Sequence, residues 1–118
     1  FPTFYYLTHP AATAAMSTLE ATHVMPELAA MLADEEVALA YRRAHEAYLA
    51  DRAQFGDVEE IDGISAGGMP TRIKCLHALA GHALAAGPGV NPIGDAALAR
   101  SSWSPQRCQC EQPGAAIA

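Results

Sequence analysis

The sequence predicts a mostly α protein: a single small domain of four to five helices with an extended aromatic N-terminal segment. Three observations lead there. Every long segment repeats its apolar residues with a period near 3.6, no interior segment alternates as a half-buried strand does, and helix start and stop signals punctuate the chain at short intervals. The 118 residues include 26 Ala, whereas Leu, Ile, Val and Phe together number 22, close to the floor for a stable core. A domain of this size buries roughly two thirds of the surface its unfolded chain exposes. That excludes a second core or a large internal pocket. The helical domain is expected over residues 1–100, followed by an irregular tail over 101–118.

The elements follow in order. Phe1-Pro-Thr-Phe-Tyr-Tyr-Leu reads as a strand or an aromatic clasp. Pro10 suits the first turn of a helix capped by Thr8 or His9, with Ala12, Met16, Leu19 and His23 on one face. Pro26 restarts a helix whose Leu28, Met31 and Leu32 face inward. Asp34 caps the next, and Glu35 and Glu36 suit its positive end. One bent helix from Pro26 to Phe55 is the alternative to two. The third helix carries the stripe Val37, Tyr41, Ala44, Tyr48 and Phe55, and Gly56 ends it. Residues 57–70 form a loop of a length that is usually functional or disordered. Thr71 is expected to cap a fourth helix that stops at Gly87-Pro88-Gly89, and Asp95 a last one through Arg100.

Charge is uneven along the chain. Residues 1–33 carry two acids and no Lys or Arg; residues 34–62 carry nine acids against three Arg; residues 63–118 carry four bases against two acids. An acidic middle and a net charge of −6 argue against nucleic acid as a partner, because that needs a continuous basic footprint. Membrane insertion is excluded in the same way. The stretch from Cys75 to Gly94 lacks Asp, Glu, Lys and Arg but contains two His, four Gly and two Pro. Three Cys cannot close a disulfide framework, so reduced thiols in the cytoplasm are expected. A chain starting at Phe without Met is expected to be a fragment or a processed form.

The most distinctive words are Gly67-Gly-Met-Pro-Thr-Arg-Ile-Lys-Cys-Leu-His-Ala-Leu, Phe1-Pro-Thr-Phe-Tyr-Tyr-Leu-Thr, Tyr41-Arg-Arg-Ala-His-Glu-Ala-Tyr and Gly89-Val-Asn-Pro-Ile-Gly-Asp. In these words and their order, residues 1–95 resemble a bacterial domain-of-unknown-function family, number five-oh-one in its series. The family has no established activity to carry over. The resemblance implies a Cys-bearing segment ahead of the Phe-Pro-Thr motif, which this chain lacks. It also implies Cys in many members where this chain has His9, a pair of residue types that exchange as zinc ligands. Genes of the family tend to lie near septum-formation and exopolyphosphatase genes.

Three clusters carry chemistry. Gly67 and Gly68 lead into the expected helix at Thr71, whose first turns hold Arg72 and Lys74; a permissive loop, helix amides and two cations suit a phosphate or carboxylate. The Gly-Lys-Ser/Thr ending of a Walker loop is missing. Tyr41, His45, Tyr48 and Arg52, at i, i+4, i+7 and i+11 with Arg43 beside them, form a polar stripe. It either grips a polar ligand or consists of core aromatics with satisfied tips. A zinc site requires His9, Cys75, Cys108 and Cys110 to converge, against the alternative of a buried Cys75 and a tail with reactive thiols. Cys75 and His77, two apart on the expected helix, do not face each other, so no nucleophile–base pair is read.

Three functions remain. The first is a non-catalytic accessory domain recognising an anionic small molecule or a partner protein. The second is a small domain stabilised by Zn, and the third is an enzyme acting on a phosphorylated or carboxylated small molecule. The first ranks highest, because an anion site is legible and a catalytic pair is not.

Overall fold

The structure is a computed structural model, and it describes residues 4–56 and 61–103. It contains α1 (Pro10–Ala21), α2 (Val24–Met31), α3 (Glu35–Ala53), α4 (Leu76–Ala86) and α5 (Pro92–Arg100), with no strand among the described residues. The mostly α fold read from the sequence is therefore correct. None of these helices is long and apolar enough to cross a membrane.

Local chemistry explains most of the boundaries. His9 caps α1 through Nδ1, which accepts from the amides of Ala11 (3.2 Å) and Ala12 (3.4 Å), and Pro10 occupies the first turn. His23 was expected on the inner face of α1. Instead it is exposed and takes φ 65°, turning the chain between α1 and α2. The helix it begins starts at Val24, two residues before Pro26. Asp34 caps α3 by accepting from Glu36 N–H at 2.8 Å, so α2 and α3 are two helices rather than one bent rod. Phe55 lies beyond the last turn of α3 and is 78% exposed; its place in the stripe goes unused.

Two starts differ from expectation. Helix α4 begins at Leu76 with Cys75 as its N-cap, not at Thr71. The cap of α5 is Asn91, whose Oδ1 accepts from Gly94 N–H at 2.9 Å; Pro92 opens the helix. Asp95 instead sits inside the first turn and accepts from Gly89 N–H at 2.9 Å.

The core is built from Met16, Leu28, Tyr41, Tyr48, Leu76, Leu79 and Ile93, all fully buried. Two glycines let backbones approach α4. A Cβ on Gly81 would meet Leu7 N at 3.3 Å and Tyr5 O at 3.5 Å, so the N-terminal segment crosses α4 at Gly81. A Cβ on Gly94 would collide with the Leu79 carbonyl, which fixes how closely α5 lies on α4. The N-terminal residues form a clasp. The Tyr48 hydroxyl accepts from Phe4 N–H and from Tyr5 N–H (3.0 Å), and Tyr5 donates to Asp51 at 2.7 Å while stacking on His82.

Candidate functional site

The polar stripe of α3 serves the fold. Tyr41 donates to the Arg72 carbonyl at 2.7 Å, and His45 Nδ1 bonds Ser65 Oγ at 2.7 Å. Tyr48 holds the clasp, and Arg52 donates to the Ile64 (2.6 Å) and Ile61 (2.9 Å) carbonyls. Arg43 is exposed on the other side. Tyr41, Tyr48 and His45 are buried with their polar tips occupied, so these residues tie the 61–73 connection and the N-terminal segment to α3. Burial pushes the Tyr41 phenol up. Burial first, and the nearby Arg42 second, lower the His45 imidazole.

The Gly67–Lys74 segment does not form the N-terminus of α4. Lys74 N–H donates to the Gly67 carbonyl at 2.7 Å and Arg72 N–H to the Gly68 carbonyl at 2.9 Å, closing a compact turn ahead of the non-helical residues that lead into α4. Gly67 (φ 65°) and Gly68 (φ 96°) are required there, since a Cβ would press on Leu79 at 2.7 Å and on the Arg72 carbonyl at 2.7 Å. Thr71, Arg72 and Lys74 are exposed. The amide that opens α4, Leu76 N–H, is already met by an internal anion: Glu20 Oε2 accepts from it at 2.9 Å. The helix-terminus anion site therefore loses its geometric premise.

The late start of α4 has a second consequence. Cys75 is not helical (φ −145°, ψ 111°), so the rule that residues two apart diverge does not apply to Cys75 and His77. With Glu20 from the last turn of α1 they form a cluster. The Cys75 Sγ, one His77 ring nitrogen and one Glu20 oxygen lie within 4.8 Å of one another, all half-buried. His77 Nδ1 lies 3.3 Å from Glu20 Oε2. His77 Nε2 lies 3.2 Å from the Thr13 carbonyl and 3.1 Å from Ser17 Oγ. His77 and Glu20 thus carry site chemistry that sequence reasoning missed. Of the four-ligand zinc set, Cys108 and Cys110 lie outside the described residues. His9 Nδ1 serves as the α1 cap, and its ring packs 5.4 Å from that of Trp103.

A groove of about 280 Å³ opens between the start of α3 and the turn at Pro70. Leu32, Ala38, Leu39 and Pro70 supply apolar walls, and Arg42 and Thr71 supply polar groups. Arg42 makes no hydrogen bond or ion pair among the described residues, whereas Arg100 pairs with Glu27 at 2.9 Å.

These features define a class: a small helical domain, closed by an aromatic clasp and bearing a thiol–imidazole–carboxylate cluster where α1 meets α4. The chain belongs to the family described as Protein of unknown function (DUF501), whose model matches residues 1–99. No curated protein and no solved structure matches it.

Proposed function

We propose that this domain is a non-catalytic binding module for an anionic ligand with an apolar portion, seated in the groove between α3 and the Pro70–Thr71 turn. The observation that supports it is Arg42. A cation without a partner among the described residues lines the groove together with its apolar walls and Thr71. Small-ligand sites are built this way, from apolar walls and a few placed polar groups. The anion expected at Thr71 keeps that residue but draws its charge complement from α3 rather than from helix amides.

A catalytic reading is less well supported. Cys75 has an imidazole near it, but His77 Nδ1 faces the Glu20 carboxylate at 3.3 Å, and no hydrogen bond joins the Cys75 thiol to His77 among the described residues. The free Cys75 thiol suits a reducing compartment such as the cytoplasm.

Titration calorimetry with hexanoate, phenylacetate and inorganic phosphate tests the reading. At least one organic anion should bind the wild type, and Arg42→Ala should weaken it roughly 10- to 150-fold, the value of a charge-assisted bond of about 1.5–3 kcal/mol. Added salt should weaken binding too, because the groove is open to screening. Equal binding by both proteins, or none by either, removes the groove from consideration.

A further inference from the structure

The cluster at the α1–α4 junction shares no residue with the groove, and its hydrogen bonding selects one chemistry. The geometry points to a site for a single zinc-class divalent cation, held by Cys75, His77 and Glu20.

A backbone carbonyl can only accept, so the Thr13 contact favours the tautomer in which His77 Nε2 carries the ring proton, with Ser17 Oγ as a second acceptor. In the neutral ring Nδ1 is then a bare lone pair. It faces Glu20 Oε2 at 3.3 Å, another acceptor, so a positive charge has to lie between or beside them. A metal ion supplies that charge and engages the third group of the cluster, the Cys75 thiolate. A proton on Nδ1 satisfies the His77–Glu20 pair alone and leaves Cys75 without a role.

The wider pattern is that of a metal site. Metal-bound histidines usually donate their second ring N–H to a carbonyl or carboxylate, which fixes the tautomer and aims the ligating nitrogen. Thr13 does this for His77, with Ser17 beside it. Leu76 N–H holds Glu20 in the same way, so two of the three ligands are already oriented. A tetrahedral ion with bonds of about 2.0–2.3 Å needs its ligand atoms roughly 3.3–3.8 Å apart. The observed spread, up to 4.8 Å, closes with small side-chain rotations. Thiolate and imidazole select zinc-class ions over magnesium or calcium, which prefer all-oxygen shells. The side chains of His77 and Glu20 are 28% and 30% exposed, so a fourth position is accessible to water.

Titrating Co²⁺ into the reduced full chain reads the site directly, since thiolate ligation gives a charge-transfer band and tetrahedral coordination gives intense visible bands. One equivalent should develop both, and Zn²⁺ should displace it. The bands should persist in Cys108→Ser/Cys110→Ser and vanish in Cys75→Ser. They should weaken about tenfold or more in affinity in His77→Ala and Glu20→Gln. Glu20→Gln keeps an acceptor for Leu76 N–H, so it separates ligation from helix capping if another variant fails to fold. Absence of a thiolate band in the wild type overturns the site, as does a band that survives Cys75→Ser or an affinity unchanged in Glu20→Gln. Because Arg42 and the groove take no part, Arg42→Ala should bind Co²⁺ like the wild type, and either proposal can fail without the other.

Discussion

At the scale of single residues, Tyr48 shows how one polar atom organises a distant segment. Its hydroxyl sits fully inside the core yet accepts from two backbone amides more than 40 positions away, at Phe4 and Tyr5. Tyr48→Phe keeps the ring and its edge contacts with Tyr5 and His82, but strips both amides of their acceptor. The expected cost is about 1–3 kcal/mol, since half-buried donors lose a partner and regain only some water. Urea denaturation should show it, together with faster amide exchange at Phe4 and Tyr5 while the helices stay protected. An unchanged midpoint would mean that the clasp adds nothing to the fold. The spacing of Tyr41, His45, Tyr48 and Arg52 made the stripe legible in the sequence. Its purpose was not legible, because each partner comes from a segment far along the chain: the Arg72 carbonyl, Ser65, the clasp amides and the Ile61 and Ile64 carbonyls.

At the scale of elements, the start of α4 is the instructive case. Thr71 ahead of an apolar run looks like a cap by local signals, yet four non-helical residues intervene. Those residues are held by bonds the sequence does not advertise: Tyr41 to the Arg72 carbonyl, and the Gly67 and Gly68 carbonyls to the amides of Lys74 and Arg72. The acceptor for Leu76 N–H, Glu20, belongs to a helix 56 positions earlier. Local helix signals cannot see that far, so the cluster of Glu20, Cys75 and His77 was hidden with it. The two capping assignments predict opposite results for stability. With chelator present, Thr71→Ala should change the unfolding free energy by less than about 0.5 kcal/mol, as an exposed side chain outside any cap. Glu20→Ala should cost about 1–2 kcal/mol, the value of a cap assisted by the helix dipole. The reverse order in thermal or urea melts would restore Thr71 as the start of the helix. His9, Asp34 and Gly87 were legible as caps because each acts within a few residues of itself.

At the scale of the whole molecule, the helical class was plain in the periodicity, while the response to acid depends on two histidines buried by the assembled core. His82 is fully buried, with its Nδ1 accepting from Asn91 Nδ2 at 3.1 Å, and His45 is 8% exposed against Ser65. Burial is the leading cause that lowers both imidazoles. Arg42 and Arg52 push His45 further down while Glu46 opposes them; Asp51 and Asp95 partly offset the burial of His82. The sign follows from proton counting. Below about pH 6.5 the unfolded chain protonates these histidines and the folded chain does not, so the unfolded state binds more protons. Stability is therefore fully present above that pH and falls as the pH drops, by up to about 1.4 kcal/mol per unit for each histidine, until the folded state protonates as well. Chelator-treated protein should show urea midpoints that decline from pH 7.5 to pH 5.5. His45→Asn should decline less steeply, having one such histidine fewer while keeping a polar group for Ser65. A wild-type midpoint that stays level over this range would mean that His45 and His82 protonate as readily in the fold as in the unfolded chain. The core around Tyr5, Tyr48 and Asn91 would then have to admit water to His82, and the contact with Ser65 would have to admit it to His45.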